Sequence, residues 1–254
     1  MKKQGVKQME RVTILETYVD NLSMNETVDA VEEYIKDRRF LHLMGVNADK
    51  INAMHDDPEL KRIVNECAII NADGVSVVWA SKKLKTPLKE RVAGIDLMER
   101  LLKRAEEKGY CVYLLGAKQE VVEKCARVIK KEYPTLDFRG FRNGYFKKEQ
   151  WEEVAAEIEA AAPQIVFVGI TSPLKEYLIE YFRERGMKIV FMGVGGSFDV
   201  ISGMIPRAPM WMQRMGLEWL FRVIQEPGRL WKRYLIGNTR FIWSVYQEKY
   251  RKCG

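Results

Sequence analysis

Apolar residues along this chain alternate between two registers. Continuous apolar runs of the length that buried strands use occur at Phe40–Val46, Cys67–Asn71, Tyr110–Leu115, Ile165–Ile170 and Lys188–Val194, with a weaker one at Leu136–Gly140. Between them the spacing turns helical. Leu97, Leu101, Leu102 and Ala105 recur at intervals of three and four, and Gly109 is the predicted C-cap. Glu120–Glu132, Lys148–Ala161 and Pro173–Arg185 read as further helices. Ser23-x-x-Glu26 has the form of a capping box opening a helix to about Asp37, and Asp57-Pro58 gives an N-cap followed by proline at the first position of a short helix. Strands alternating with helices predict a Rossmann-like α/β fold: a mostly parallel sheet with helices on both faces. Ligands of such sheets lie beyond the carboxyl ends of the strands. The turns after Asn47, Asp73, Gly116, Gly169 and Gly195 are therefore expected to share one rim.

Beyond Met204 the pattern changes. Pro209–Gln225 and Arg229–Tyr250 are predicted helices separated by Glu226-Pro227-Gly228, with more apolar residues than a core-facing stripe needs. The stretch from Met204 to Gly254 holds ten Lys or Arg against three Glu, an excess equal to the +7 of the whole chain, so the first 203 residues are electrically balanced. It also holds Trp211, Trp219, Trp231 and Trp243, four of the six tryptophans. Basic side chains interleaved with indoles suit an anionic bilayer interface; a helical pair packed on the domain, its charges solvated, is the plainer alternative. The chain divides on this reading into a Rossmann-like domain, residues 1–203, and a helical membrane-associating appendage, residues 204–254. No run approaches the roughly 18–20 apolar residues of a membrane span, so association is expected to be peripheral.

Composition narrows the chemistry. Cys67, Cys111, Cys125 and Cys253 lie far apart without CxxC spacing, and no secretory leader is evident, so reduced thiols in a cytoplasmic protein are expected. Two histidines exclude a His-rich metal site, and no Asp-x-Asp supplies an evident Mg²⁺ site. Asp73 follows a buried-type strand and precedes Gly74, which places a carboxylate on the presumed ligand rim; it reads either as a turn or cap residue or as a general base. Gly193-Val194-Gly195-Gly196, followed by Ser197-Phe198-Asp199, is either a tight strand-to-helix turn or a backbone cradle for a diphosphate. It is not GxGxxG, which weighs against a dinucleotide oxidoreductase, and no Walker sequence occurs. Basic tails also occur in nucleic-acid-binding proteins, but tryptophan-rich helices suit lipid better.

Several ordered segments carry a family resemblance. They are Asn47-Ala48-Asp49-Lys50-Ile51, Asn71-Ala72-Asp73-Gly74-Val75, Glu90-Arg91-Val92-Ala93-Gly94-Ile95-Asp96-Leu97, Leu114-Leu115-Gly116, Asn143-Gly144-Tyr145-Phe146, Gly193 to Asp199, Arg207-Ala208-Pro209-x-Trp211, Gly216-Leu217-Glu218-Trp219 and Glu226-Pro227-x-Arg229. In this order and spacing the chain resembles the WecG/TagA/CpsF glycosyltransferases from about residue 11 to 245. The resemblance implies an inverting, metal-independent and cofactor-free transferase. It would move N-acetylmannosamine or a related sugar from a UDP donor to a polyprenyl-diphosphate-linked GlcNAc-type acceptor at the inner face of the cell membrane. It implies Asp73 as the base, with Asn47, Arg91, Gly116, Lys175, Glu176, Gly195, Gly196 and Asp199 on the donor. Arg207, Arg214, Arg222, Arg229 and Lys232 would meet the acceptor diphosphate or the membrane. Two positions depart from the family pattern: Gly45 stands where threonine is usual, and Lys175 where glutamine is usual. These departures also fit a non-catalytic scaffold that binds sugar nucleotide or lipid. Self-association into a homo-oligomer is the alternative use of the helical tail to lipid contact.

Overall fold

The computed structural model describes residues 10–253 except Glu226, and leaves the side chains of Arg214, Arg229, Leu230, Lys232, Arg233, Lys252 and Cys253 outside that description. Its centre is a six-stranded parallel sheet. The strands are β3 (Leu41–Val46), β4 (Ile69–Ala72), β5 (Val112–Gly116), β6 (Phe138–Arg142), β7 (Ile165–Gly169) and β8 (Val190–Gly193), in the order β4-β3-β8-β7-β5-β6. Ahead of them β1 (Arg11–Ile14) and β2 (Thr17–Asp20) form an antiparallel hairpin. This is the expected Rossmann-like α/β architecture, and the pairings Val46 with Ala72 and Gly116 with Gly169 bring the strand ends level along one rim.

The crossover helices are α1 (Met24–Lys36), α2 (Ala48–Asp56), α3 (Pro58–Asn65), α4 (Val75–Lys83), α5 (Gly94–Lys108), α6 (Gln119–Glu132), α7 (Trp151–Ala161) and α8 (Leu174–Glu184), followed by a short α9 (Ser197–Ile201). Strand side chains alternate between the two faces, as a pleated strand requires. Leu41, Leu43, Val112, Leu114, Ile165, Phe167, Val190 and Met192 pack with α1, α5 and α6. From the opposite face, Met44, Val46, Ile70 and Ala72 join α2, α3 and α4, while Tyr113, Leu115, Val166, Val168 and Phe191 join α7 and α8. The local signals hold. Ser23 and Glu26 form a reciprocal capping box, Asp57 caps α3 with Pro58 in its first turn, and Gly109 ends α5 at φ 70°.

The tail differs from its expected form. The predicted helix Pro209–Gln225 is two helices, α10 (Met210–Arg214) and α11 (Glu218–Gln225), and α12 runs from Pro227 to Cys253. The break falls at Gly216, whose φ is +71° and where a β-carbon would come within 2.6 Å of Val75. Only glycine fits such a left-handed, closely approached position. Further along, α12 lies on α2: Phe241 and Val245 are fully buried in the α2–α4 core, Asn52 Nδ2 donates to the Gly237 carbonyl at 2.8 Å, and Arg240 pairs with Asp56.

Candidate active site

Asp73 sits in the turn between β4 and α4, half-buried at the rim. Its backbone N–H donates to the Val46 carbonyl at 3.0 Å, which ties the turn to the end of β3. Its carboxylate is oriented too, because Oδ1 accepts a hydrogen bond from the Gly94 N–H at 2.8 Å, at the start of α5. That contact satisfies one of the open amides of the helix, and the helix dipole favours the anion there. The cap reading and the rim reading of Asp73 thus describe the same carboxylate. Gly45 faces it: a β-carbon at 45 would stand 3.3 Å from Asp73 Cβ, so the glycine leaves room where threonine would press on the acid. Asn47 caps α2, accepting from the Lys50 N–H at 3.0 Å, and lies directly against Gly74.

Arg91 links this group to the tail. Its Nε donates to the Asp73 carbonyl at 2.7 Å, and its Nη2 pairs with Glu218 Oε2 at 2.6 Å, so both ends of the guanidinium are occupied. Glu218 opens α11. One turn further on, Arg222 approaches the glycine turn after β8: a β-carbon at Gly196 would lie 3.9 Å from Arg222 Nη1 and 3.7 Å from Asp199 Oδ2. Gly195, at φ +52°, takes the left-handed conformation in that turn. Arg207 lines a crevice with Glu218, Phe221, Arg222 and Gln225, and it pairs with Asp96 and Glu99. Burial opposes its charge, yet these carboxylates hold the guanidinium above its ordinary pKa.

Beneath the rim, on the α2–α8 side, lies a second charged group. Lys50 and Lys175 both pair with Glu176 Oε1, the latter at 2.9 Å, and all three side chains are buried. The Lys175 stem lies across Gly193 at the end of β8, where a β-carbon would meet its Cε at 2.6 Å. Burial, then the neighbouring Lys50 charge, pushes the Lys175 ammonium below the usual lysine range. Burial works to raise the Glu176 carboxyl, but the two ammoniums outweigh it and hold the pKa below the carboxylate range. Two cations on one carboxylate leave this dry corner with a net positive charge, next to the carboxyl end of β8. Glu176 Oε2 has no hydrogen-bond partner among the described residues.

The structure therefore gathers Asn47, Asp73 and Arg91 in one place, Lys175 and Glu176 beside β8, and Gly195, Gly196, Asp199, Arg207 and Arg222 around α9 and α11. Gly116 has a different explanation. Its φ is +137° and a β-carbon there would collide with the Gly169 backbone at 2.5 Å, so close strand packing already demands glycine. The side chains of Arg214, Arg229 and Lys232 lie outside the described residues. Lys50, His42 and Glu218 were not among the expected site residues. Lys50 and Glu218 stood inside the quoted motifs, but their partners are far away in sequence. No group of three or more His, Cys, Asp or Glu that could hold a metal ion gathers among the described residues.

The sequence profile of the WecG/TagA/CpsF glycosyl transferase family matches residues 12–253. This chain belongs to that family. It is a glycosyltransferase. Two relatives both carry the name N-acetylglucosaminyldiphosphoundecaprenol N-acetyl-beta-D-mannosaminyltransferase. The Bacillus subtilis protein is 33% identical over 233 residues, covering 91% of this chain and 90% of its own length. The Bacillus spizizenii protein is 36% identical over 193 residues, covering 76% and 74% respectively.

Proposed function

We propose that this glycosyltransferase moves an N-acetylmannosamine-type sugar from a UDP donor to a polyprenyl-diphosphate-linked GlcNAc, with inversion and without a metal ion. The names of the relatives support the sugar and the acceptor. The observation that carries the chemistry is the Asp73 carboxylate, held at the rim by the Gly94 N–H and backed by Arg91 on its own carbonyl.

In the proposed reaction the acceptor hydroxyl attacks the anomeric carbon while the bond from that carbon to the donor phosphate breaks. The hydroxyl proton passes to Asp73, and UDP leaves with the bonding electron pair. Charge on the departing diphosphate is met by the amides of the Gly195–Gly196 turn and by Arg222, with the buried excess cation at Lys175 contributing field from below. Preformed dipoles and cations in a partly water-excluded site stabilise developing charge more than solvent does. Arg91, already bonded to Asp73 and Glu218, serves the base rather than the leaving group.

We also place the reaction at a membrane surface, with residues 204–254 as the attachment. Trp211, Met215, Ile224, Leu235, Ile236 and Trp243 are all exposed there, a concentration of apolar surface that water-facing helices rarely carry. No described helix is long and apolar enough to cross a membrane, so the contact is peripheral on this reading.

The test is release of UDP from a panel of UDP-sugars, with a short-chain prenyl-diphosphate-GlcNAc present or absent, and with or without EDTA. Release from UDP-N-acetylmannosamine that depends on acceptor and ignores EDTA is expected. Release that stops with EDTA would remove metal independence, and silence across the panel would remove the donor assignment.

A further inference from the structure

Helix α11 turns charged side chains toward the rim. Its residues Glu218, Phe221, Arg222 and Gln225, at i, i+3, i+4 and i+7, line the crevice shared with Ile95, Val200 and Arg207, while Trp219 on one flank packs against Tyr234 and Ile224 on the other is exposed. A helix packed on a domain ordinarily turns its apolar stripe inward. Here a carboxylate and a guanidinium share the crevice face with Phe221.

The inward carboxylate has one specific task in this geometry. Glu218 holds Arg91 Nη2 at 2.6 Å, Arg91 Nε holds the Asp73 carbonyl at 2.7 Å, and Asp73 Oδ1 is set by Gly94. Both Arg91 and Glu218 are mostly shielded, with side-chain exposures of 26% and 19%, so the pair is less screened than a surface ion pair. Arg91 carries two bonds in a rigid planar fork, so moving one end moves the other. We infer that Glu218 is a positioning residue that locks Arg91, and through it the Asp73 turn. This inference rests on the reading of Asp73 as the base.

The test uses the full chain and four variants: Glu218→Gln, Glu218→Asp, Arg91→Gln and the double variant Arg91→Gln/Glu218→Gln. For each, kcat and the two KM values are measured, together with pelleting on phosphatidylglycerol vesicles and the thermal midpoint. Glu218→Gln should lower kcat about tenfold, within the range expected for coupled neighbours. Both KM values, vesicle binding and the midpoint should stay near those of the parent. Glu218→Asp should recover part of the loss, and the double variant should be no slower than Arg91→Gln alone. Effects that multiply in the double variant would overturn the inference. So would a faster Glu218→Gln enzyme, which would make Glu218 a competitor for Arg91. A rate loss that tracks the midpoint would make the residue merely structural. Asp73→Asn, measured alongside, separates the two ideas: full activity there removes the base, whereas multiplying effects at positions 91 and 218 remove only the positioning role.

Discussion

Lys50 and Lys175 depend on one carboxylate, and this makes Glu176 a sensitive residue. Breaking a buried charge pair by removing one partner costs about 3–5 kcal/mol, because the charge left behind stays desolvated. Glu176→Gln should lower the urea midpoint by a corresponding amount; an unchanged midpoint would mean that water already reaches the two ammoniums. His42 nearby is buried, and that burial holds its pKa down at about 3 from an ordinary 6.5. The unfolded chain therefore takes up this proton first as pH falls, so the stability associated with neutral His42 is complete above 6.5 and fades progressively towards 3. Replacing His42 with Leu should flatten the dependence of unfolding free energy on pH across that window, and an equally steep variant would assign the acid limb to other groups. Little of this was legible in the chain. Lys50 and Glu176 lie 126 positions apart, and Arg91 with Glu218 are similarly remote, so no local spacing announces either pair. Asp73 and Asn47 were legible because each stands directly after an apolar strand run, where both the local turn chemistry and the rim geometry act on the same residue.

At the scale of elements, the strands and helices that carry their own end signals are those read correctly. Ser23 with Glu26, Asp57 with Pro58, and Gly109 each satisfy helix-terminal groups by short-range bonds or conformation, and these are sequence properties. The hairpin β1–β2 escaped because its turn residues, Leu15 and Glu16, adopt positive φ of 49° and 61° without glycine or asparagine. Similarly, α4 starts on Val75-Ser76-Val77-Val78, a β-branched run that favours strand locally and is helical through its packing in the core with α2 and α3. The break at Gly216 is likewise set by a tertiary neighbour, Val75. For α12 the decisive contact is Phe241. Truncating a fully buried phenylalanine costs about 3–5 kcal/mol, so Phe241→Ala should make α12 accessible to limited proteolysis at temperatures where the parent resists. Equal resistance would mean that Arg240, Asn52 and the remaining contacts suffice to hold the helix on α2.

Across the whole molecule, charge and apolar surface are segregated. The excess of seven positive charges lies beyond Met204, beside exposed indoles, while the first 203 residues balance. Each Lys or Arg near an anionic surface contributes about 1 kcal/mol, and that contribution falls with salt. Cutting the tail away would uncover the core around Phe241, so substitution in the full chain is the cleaner test. Trp211→Ser combined with Trp243→Ser should reduce pelleting on phosphatidylglycerol vesicles severalfold while leaving the thermal midpoint in place. Undiminished pelleting would contradict attachment through this face. The proposed base is the carboxylate at the rim, and turnover of Asp73→Asn at saturating donor and acceptor tests it most directly. A general base contributes roughly 10²–10⁴-fold, so turnover should fall by that factor with the unfolding midpoint unchanged. Turnover close to that of the parent enzyme would show that the proton goes elsewhere and that Asp73 is a cap for α5 and nothing more.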